Sequence, residues 1–222
     1  MRERVRYSFF FAMLAALCAY YWFASTTLAW WLLLWPAVSC TVMALAYALH
    51  RPGLVVGKTA EGKVSVMLVL VSLPWLAFTW LTWLSIVMLS REPSVSPIAG
   101  TNVSISRYPL FGVDLAGFDR IFDLTAEFPR LYRPPAHYQC LPNLDGIALG
   151  NLQHLPIVGP NEKVLIHCAQ GHGRSATFAS LLLTNAALFA TPQAAHAAIL
   201  ASRPGAKLAK SQQLQLMSHS RI

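Results

Sequence analysis

The sequence predicts two regions: an N-terminal set of three transmembrane helices and a small C-terminal α/β domain with a central sheet flanked by helices. Three observations predict this. The 222 residues are 55% hydrophobic and only 12% charged, about half the charged fraction of an ordinary soluble domain. All seven tryptophans lie before residue 90, whereas most Asp, Glu, Lys and Arg residues lie after it. A strand, loop and helix pattern is concentrated at 163–180 (KVLIHCAQGHGRSATFAS). High apolar content, 12 glycines and four cysteines exclude a disordered tail, a collagen and a disulfide scaffold. The net charge of +8 divides evenly between the regions with no dense basic run, which argues against a nucleic-acid partner.

The first 89 residues hold three uncharged stretches, 8–25, 27–49 and 64–89. Each has about the 20 apolar residues that a helix needs to cross a bilayer. Only Ser25, Thr26 and Thr27 are available to turn the chain between the first two, which implies a helical hairpin. Trp22, Trp30, Trp31 and Trp35 cluster about that turn, and Trp75, Trp80 and Trp83 lie in the third stretch. Such rings favour the headgroup level. Pro36 and Pro74 sit inside spans, where neighbouring helices must satisfy the carbonyls they free. No charged residue is embedded in a span, so nothing suggests an ion path. Arg2, Arg4 and Arg6 precede the first span, and Arg51, Lys58 and Lys63 lie between the second and third. Those flanks face the cytoplasm by the positive-inside rule, which leans the C-terminal domain toward the extracytoplasmic side.

Residues 90–102 read as a Pro/Ser/Gly-bearing linker that spaces a domain of 103–222 from the bilayer. Within the domain, strands are expected at 103–106, 120–124, 138–141 and 163–168, and helices at 175–189, 192–201 and about 207–217. About 130 residues suffice for one core.

The loop between the 163–168 strand and the following helix carries the chemistry. Gly171 and Gly173 let backbone N–H groups of His167, Ala169, Gln170 and His172 turn inward as an anion nest, aided by the helix start. The stretch lacks the ending of a nucleotide P-loop and is not a dinucleotide fingerprint. It has instead a thiol, Cys168, with Arg174 six residues on. A free thiol titrates near about 8.5, and inward N–H groups, a helix N-terminus and a guanidinium all favour its thiolate. Cys168 can then attack phosphorus, Arg174 can hold two phosphate oxygens with its planar fork, Ser175 can donate to the departing sulfur, and His167 can fix the loop backbone.

The pattern His-Cys-x-x-Gly-x-x-Arg-Ser resembles the signature of protein tyrosine and dual-specificity phosphatases. Around it, 121–128 (IFDLTAEF) is similar to that family's early core strand, 138–146 (YQCLPNLDG) to the strand and loop bearing the general acid, and 203–214 (RPGAKLAKSQQL) to the approach to its C-terminal helix. The resemblance covers about 103–218 and implies a cysteine-phosphatase-like fold, a phosphocysteine intermediate, and Asp145 as the group that protonates the leaving oxygen and then activates water. Two departures stand out. Only 22 residues separate Asp145 from Cys168, so a helix expected about 147–155 must be short. His172 stands where lipid-phosphate relatives carry Lys or Arg.

Blander readings exist for each residue. Cys168 alone would be a small core hydrophobe; the glycines, Arg174 and Ser175 at these spacings say otherwise. Asp145 could be a turn residue in Asn143-Leu144-Asp145-Gly146, with Asp114, Asp119 and Asp123 as weaker substitutes. His172 could be a solvated loop residue. His137, His154, His196 and His219 lack partners at ligand spacing, so neither metal nor organic cofactor is implied. Cys140 reads as core, with a redox pairing to Cys168 as the sharper idea; Cys18 and Cys40 read as inert. The expected function is a membrane-anchored phosphomonoesterase acting on a phosphorylated protein. The alternatives are a phospholipid headgroup phosphatase and a silent phosphate-binding module.

Overall fold

The structure, a computed structural model, describes residues 2–24, 28–110, 113–133, 137–150, 155–159 and 161–219. The expected turn at 25–27, Pro134, Pro135 and His154 lie outside the described residues. The chain divides into two compact units, one of residues 1–59 with 63–89, the other of residues 60–62 with 90–222.

In the first unit, α1 (Arg2–Ala24), α2 (Leu34–Leu49) and α4 (Val66–Leu89) are joined by a 3-10 turn at Leu28–Leu33 and a short α3 (Gly53–Val56). Three helices are long and apolar enough to cross a membrane. Polar side chains serve backbone within the unit. Pro74 has no N–H for the carbonyl four residues before it, and that carbonyl, of Leu70, accepts the Trp35 indole at 2.9 Å. Ser39 Oγ donates to Ser72 O and Ser72 Oγ to Val55 O. Tyr7 and Phe11 of α1 pack on the Tyr47 ring of α2. Phe9, Phe78 and Met88 point outward and are largely exposed.

The second unit has a five-stranded sheet in the order β1-β2-β5-β3-β4, built from β1 (Val95–Pro97), β2 (Val103–Ser106), β3 (Arg120–Thr125), β4 (His137–Asn143) and β5 (Val164–His167). β2, β5, β3 and β4 run parallel and β1 is antiparallel to β2. The segment read as a spacer thus carries an edge strand. It is too short for an alternating pattern and holds a proline, which an edge tolerates. β5 is central and wholly buried, as its unbroken apolar run requires in a sheet covered on both faces. Ile105, Ile166 and Phe122 lie side by side across three strands. They share a core with Ala176, Phe178, Ala179 and Leu182 of α5 (Gly173–Asn185) and with Ala195 and Ile199 of α6 (Pro192–Ser202). α7 (Lys210–His219) ends the chain's regular structure. The small alanines permit this close packing.

β4 is the other edge. Its Cys140 amide donates to Ala60 O at 2.8 Å, and Cys140 is buried. Of the helix expected about 147–155, residues 151–154 lie outside the described residues and 147–150 form no helix.

Candidate active site

In an open parallel sheet, ligands bind beyond the carboxyl ends of the strands. All the residues singled out at the site issue from those ends: Cys168 follows β5, Asp145 follows β4, and Ser106 and Arg107 close β2. The loop 168–172 then runs into α5, which begins at Gly173, two residues before the expected start, so Arg174 lies in its first turn. Gly171 has φ +70°, and a Cβ there would stand 2.5 Å from Ser106 O and 2.8 Å from Arg107 N. Only glycine fits that approach. The Tyr108 amide donates to Ala169 O at 3.0 Å, tying the loop to the exit of β2. At Gly173 a Cβ would meet Gln212 Oε1 at 2.8 Å.

Arg174 is 1% exposed. Its Nη2 donates to Glu127 Oε1 at 2.6 Å and its Nη1 to Glu127 Oε2 at 2.8 Å, with Asn143 O a further acceptor at 2.9 Å. Its Nε makes no hydrogen bond and lies 3.1 Å from Asp145 Oδ1. Burial works against the guanidinium charge, but Glu127 and then Asp145 outweigh it and hold the pKa well above the ordinary value. Sequence reasoning missed Glu127. Its signal was present, since a lone acid in Leu-Thr-Ala-Glu-Phe at the end of a buried strand needs a cation.

Asp145 is therefore brought to the loop despite the short spacing. Its turn is stapled: the Gly150 amide donates to Asn143 Oδ1 at 2.8 Å, Gln212 Nε2 donates to Ile147 O at 3.1 Å, and the Gln215 amide exchanges two bonds with the Leu149 backbone. The other aspartates are committed elsewhere. Asp123 accepts from Thr125 and Tyr138, Asp119 accepts the Lys163 amide before β5 begins, and Asp114 accepts the Ala116 amide.

Cys168 is buried, and Ser175 Oγ is fully enclosed with no hydrogen-bond partner among the described residues. The His167 ring is within hydrogen-bonding distance of Tyr132 Oη, at 2.6 Å, and stands 3.9 Å from Asp123. The ring at the foot of the loop is thus held in a buried cluster with Tyr132 and Asp123. Burial, and then the Asp123 charge, push the Tyr132 and Tyr138 phenols well up, so both stay protonated donors. His172 is not a free solvated residue either. Its Nε2 pairs with Glu92 Oε2 at 2.7 Å, and the Gln170 carbonyl accepts Arg203.

The arrangement offers a thiol at the root of a glycine-bearing loop, a buried guanidinium whose Nε makes no hydrogen bond among the described residues, and a carboxylate 3.1 Å from that Nε.

No protein-family profile and no curated protein matches the chain. Among solved structures, human DUSP28 is similar at 18% identity and a TM-score of 0.49, covering 58% of this chain and 94% of its own. Tk-PTP in its active form is similar at 25% identity and a TM-score of 0.46, covering 58% of this chain and 97% of its own.

Proposed function

We propose that the C-terminal unit is a cysteine-dependent phosphomonoesterase. The observation that supports this best is the Asp145–Arg174 pair: Asp145 Oδ1 stands 3.1 Å from the buried guanidinium's Nε, at the helix start that follows the loop holding Cys168. A phosphate dianion displaces the Asp145 carboxylate and takes Arg174 Nε together with the loop N–H groups. The Cys168 thiolate attacks phosphorus and the bond from phosphorus to the leaving oxygen breaks. The carboxylic acid form of Asp145 gives its proton to that oxygen. In the second step Asp145 takes a proton from water as the water oxygen attacks phosphorus; the S–P bond breaks and Cys168 departs as thiolate, receiving a hydrogen bond from Ser175. The balance closes without metal or organic cofactor.

The substrate we favour is a phosphorylated protein, chiefly phosphotyrosine, because no Lys or Arg occupies the loop positions 169–173. A phospholipid headgroup such as a phosphatidylglycerophosphate is the second reading, favoured by the three helices long and apolar enough to cross a membrane. The test is release of phosphate by the detergent-solubilised full chain from a phosphotyrosyl peptide and from that lipid, each with a Cys168→Ser control. Turnover of the peptide that Cys168→Ser abolishes and a chelator leaves alone supports the first reading. Turnover of the lipid only moves the assignment to the second. Phosphate binding without turnover of either leaves a binding module and overturns the enzyme. Protease protection in sealed vesicles reads which side bears the unit, with the extracytoplasmic face expected.

A further inference from the structure

A second buried guanidinium stands behind the loop. Arg203 is 2% exposed. Its Nη2 donates to the Gln170 carbonyl at 2.9 Å, and its Nη1 donates to Pro93 O at 2.9 Å and Ser96 Oγ at 3.1 Å. Its Nε makes no hydrogen bond. Glu92 holds this corner together: Oε2 lies 3.6 Å from Arg203 Nη2 and 2.7 Å from His172 Nε2, while Oε1 accepts the Gly205 amide at 3.0 Å. A Cβ at Gly205 would fall against Glu92 Oε1 and 2.6 Å from His172 Nε2, so a side chain there would push both out of this arrangement. Three segments distant in sequence, 92–96, 170–172 and 203–205, thus meet in one polar knot.

We infer that Arg203 is a positioning residue of the phosphate loop: it fixes the 170–172 limb through the Gln170 carbonyl and lends a second positive charge to the Cys168 thiolate. Orienting the Gln170 carbonyl toward Arg203 fixes the plane of that peptide and hence the direction of the next N–H in the loop. Burial lowers the Arg203 pKa, while Glu92 and then Cys168 work to raise it and Arg107 opposes them. The titratable and charged groups facing this corner are Glu92, His172, Cys168 and Arg107. The inference rests on the reading of Cys168 as nucleophile.

The test is alkylation of the full chain by iodoacetamide across pH, read by mass spectrometry on the peptide containing Cys168, so that it needs no turnover. In Arg203→Met the midpoint of the profile should rise by about one pH unit, a roughly tenfold slower reaction below it. Arg203→Lys should keep the wild-type midpoint but lose about tenfold in kcat/KM on an aryl phosphate, because one ammonium cannot span three acceptors in the fork's geometry. Should Arg203→Met fail to fold, Glu92→Gln decides: removing the negative charge beside Arg203 should lower the midpoint. An unmoved midpoint in a folded Arg203→Met protein overturns the inference, as does an unmoved or raised one in Glu92→Gln. An Arg203-dependent midpoint in a protein that turns over no phosphoester leaves this inference standing and sinks the proposed enzyme.

Discussion

Arg174 and Glu127 form a two-pronged ion pair inside the domain, 2.6 and 2.8 Å long, with both side chains almost wholly buried. The fork fixes the guanidinium plane, with Nε 3.1 Å from Asp145 Oδ1. Removing one member of such a pair strands the other charge, and this costs about 3–5 kcal/mol. Glu127→Ala is therefore expected to lower the urea unfolding free energy by about that much and to lose most phosphatase turnover. Unfolding and kcat/KM on one preparation check it. A wild-type midpoint with wild-type turnover contradicts the role.

Asp145 serves Arg174 in the free state and the leaving oxygen in the proposed reaction, and the two roles separate by substrate. Asp145→Asn should lower kcat on alkyl or peptide phosphoesters by roughly 10²–10⁴-fold. It should lower kcat far less on an aryl phosphate whose phenolate leaves without a proton. Inorganic phosphate should inhibit the variant more strongly, because no carboxylate competes for Arg174 Nε. Equal losses on both substrates would show a merely structural aspartate.

Gly171 is the one loop position where both conformation and space demand glycine. Gly171→Ala forces a φ of +70° on a side chain and drives its Cβ against the backbone of Ser106 and Arg107. Strain of this sort costs about 1–3 kcal/mol, and relief would open the loop. The expected result is a folded protein of lowered stability whose inhibition by phosphate is weakened at least tenfold. Tight inhibition in the variant would mean that the loop tolerates the methyl group.

The loop, its strand and its helix were legible because they are local: hydrophobic run, thiol, glycines and Arg-Ser lie within one short stretch, and spacing alone places them. Asp145 was legible only through family resemblance, since nothing local distinguishes it from a turn residue. Glu92 and Arg203 were not legible as site residues, and Glu127 only as an acid that needs a cation. Each acts on the loop from 33 to 80 positions away, and pairing at that range depends on strand order, which periodicity does not encode. β1 was lost for a related reason. A three-residue edge strand gains its identity from the partner strand. His172 illustrates the cost of reading a loop residue alone, because its Glu92 partner lies on a segment read as a spacer.

Glu92 yields a pH prediction with a definite sign. Burial raises its pKa, but the His172 bond, with Arg203 and the Gly205 amide, prevails and lowers it below the ordinary value. The unfolded chain then binds more protons than the folded one across that interval, so stability rises with pH through it. The contribution is complete above the ordinary carboxylate value of about 4.3 and is lost as pH falls through the lowered folded value. Unfolding free energies measured from pH 7 downward should show a shallower acid decline in Glu92→Gln than in the wild type, the difference closing at the acid end. Parallel curves would mean that the knot around Glu92 adds nothing to the folded state that protonation can remove.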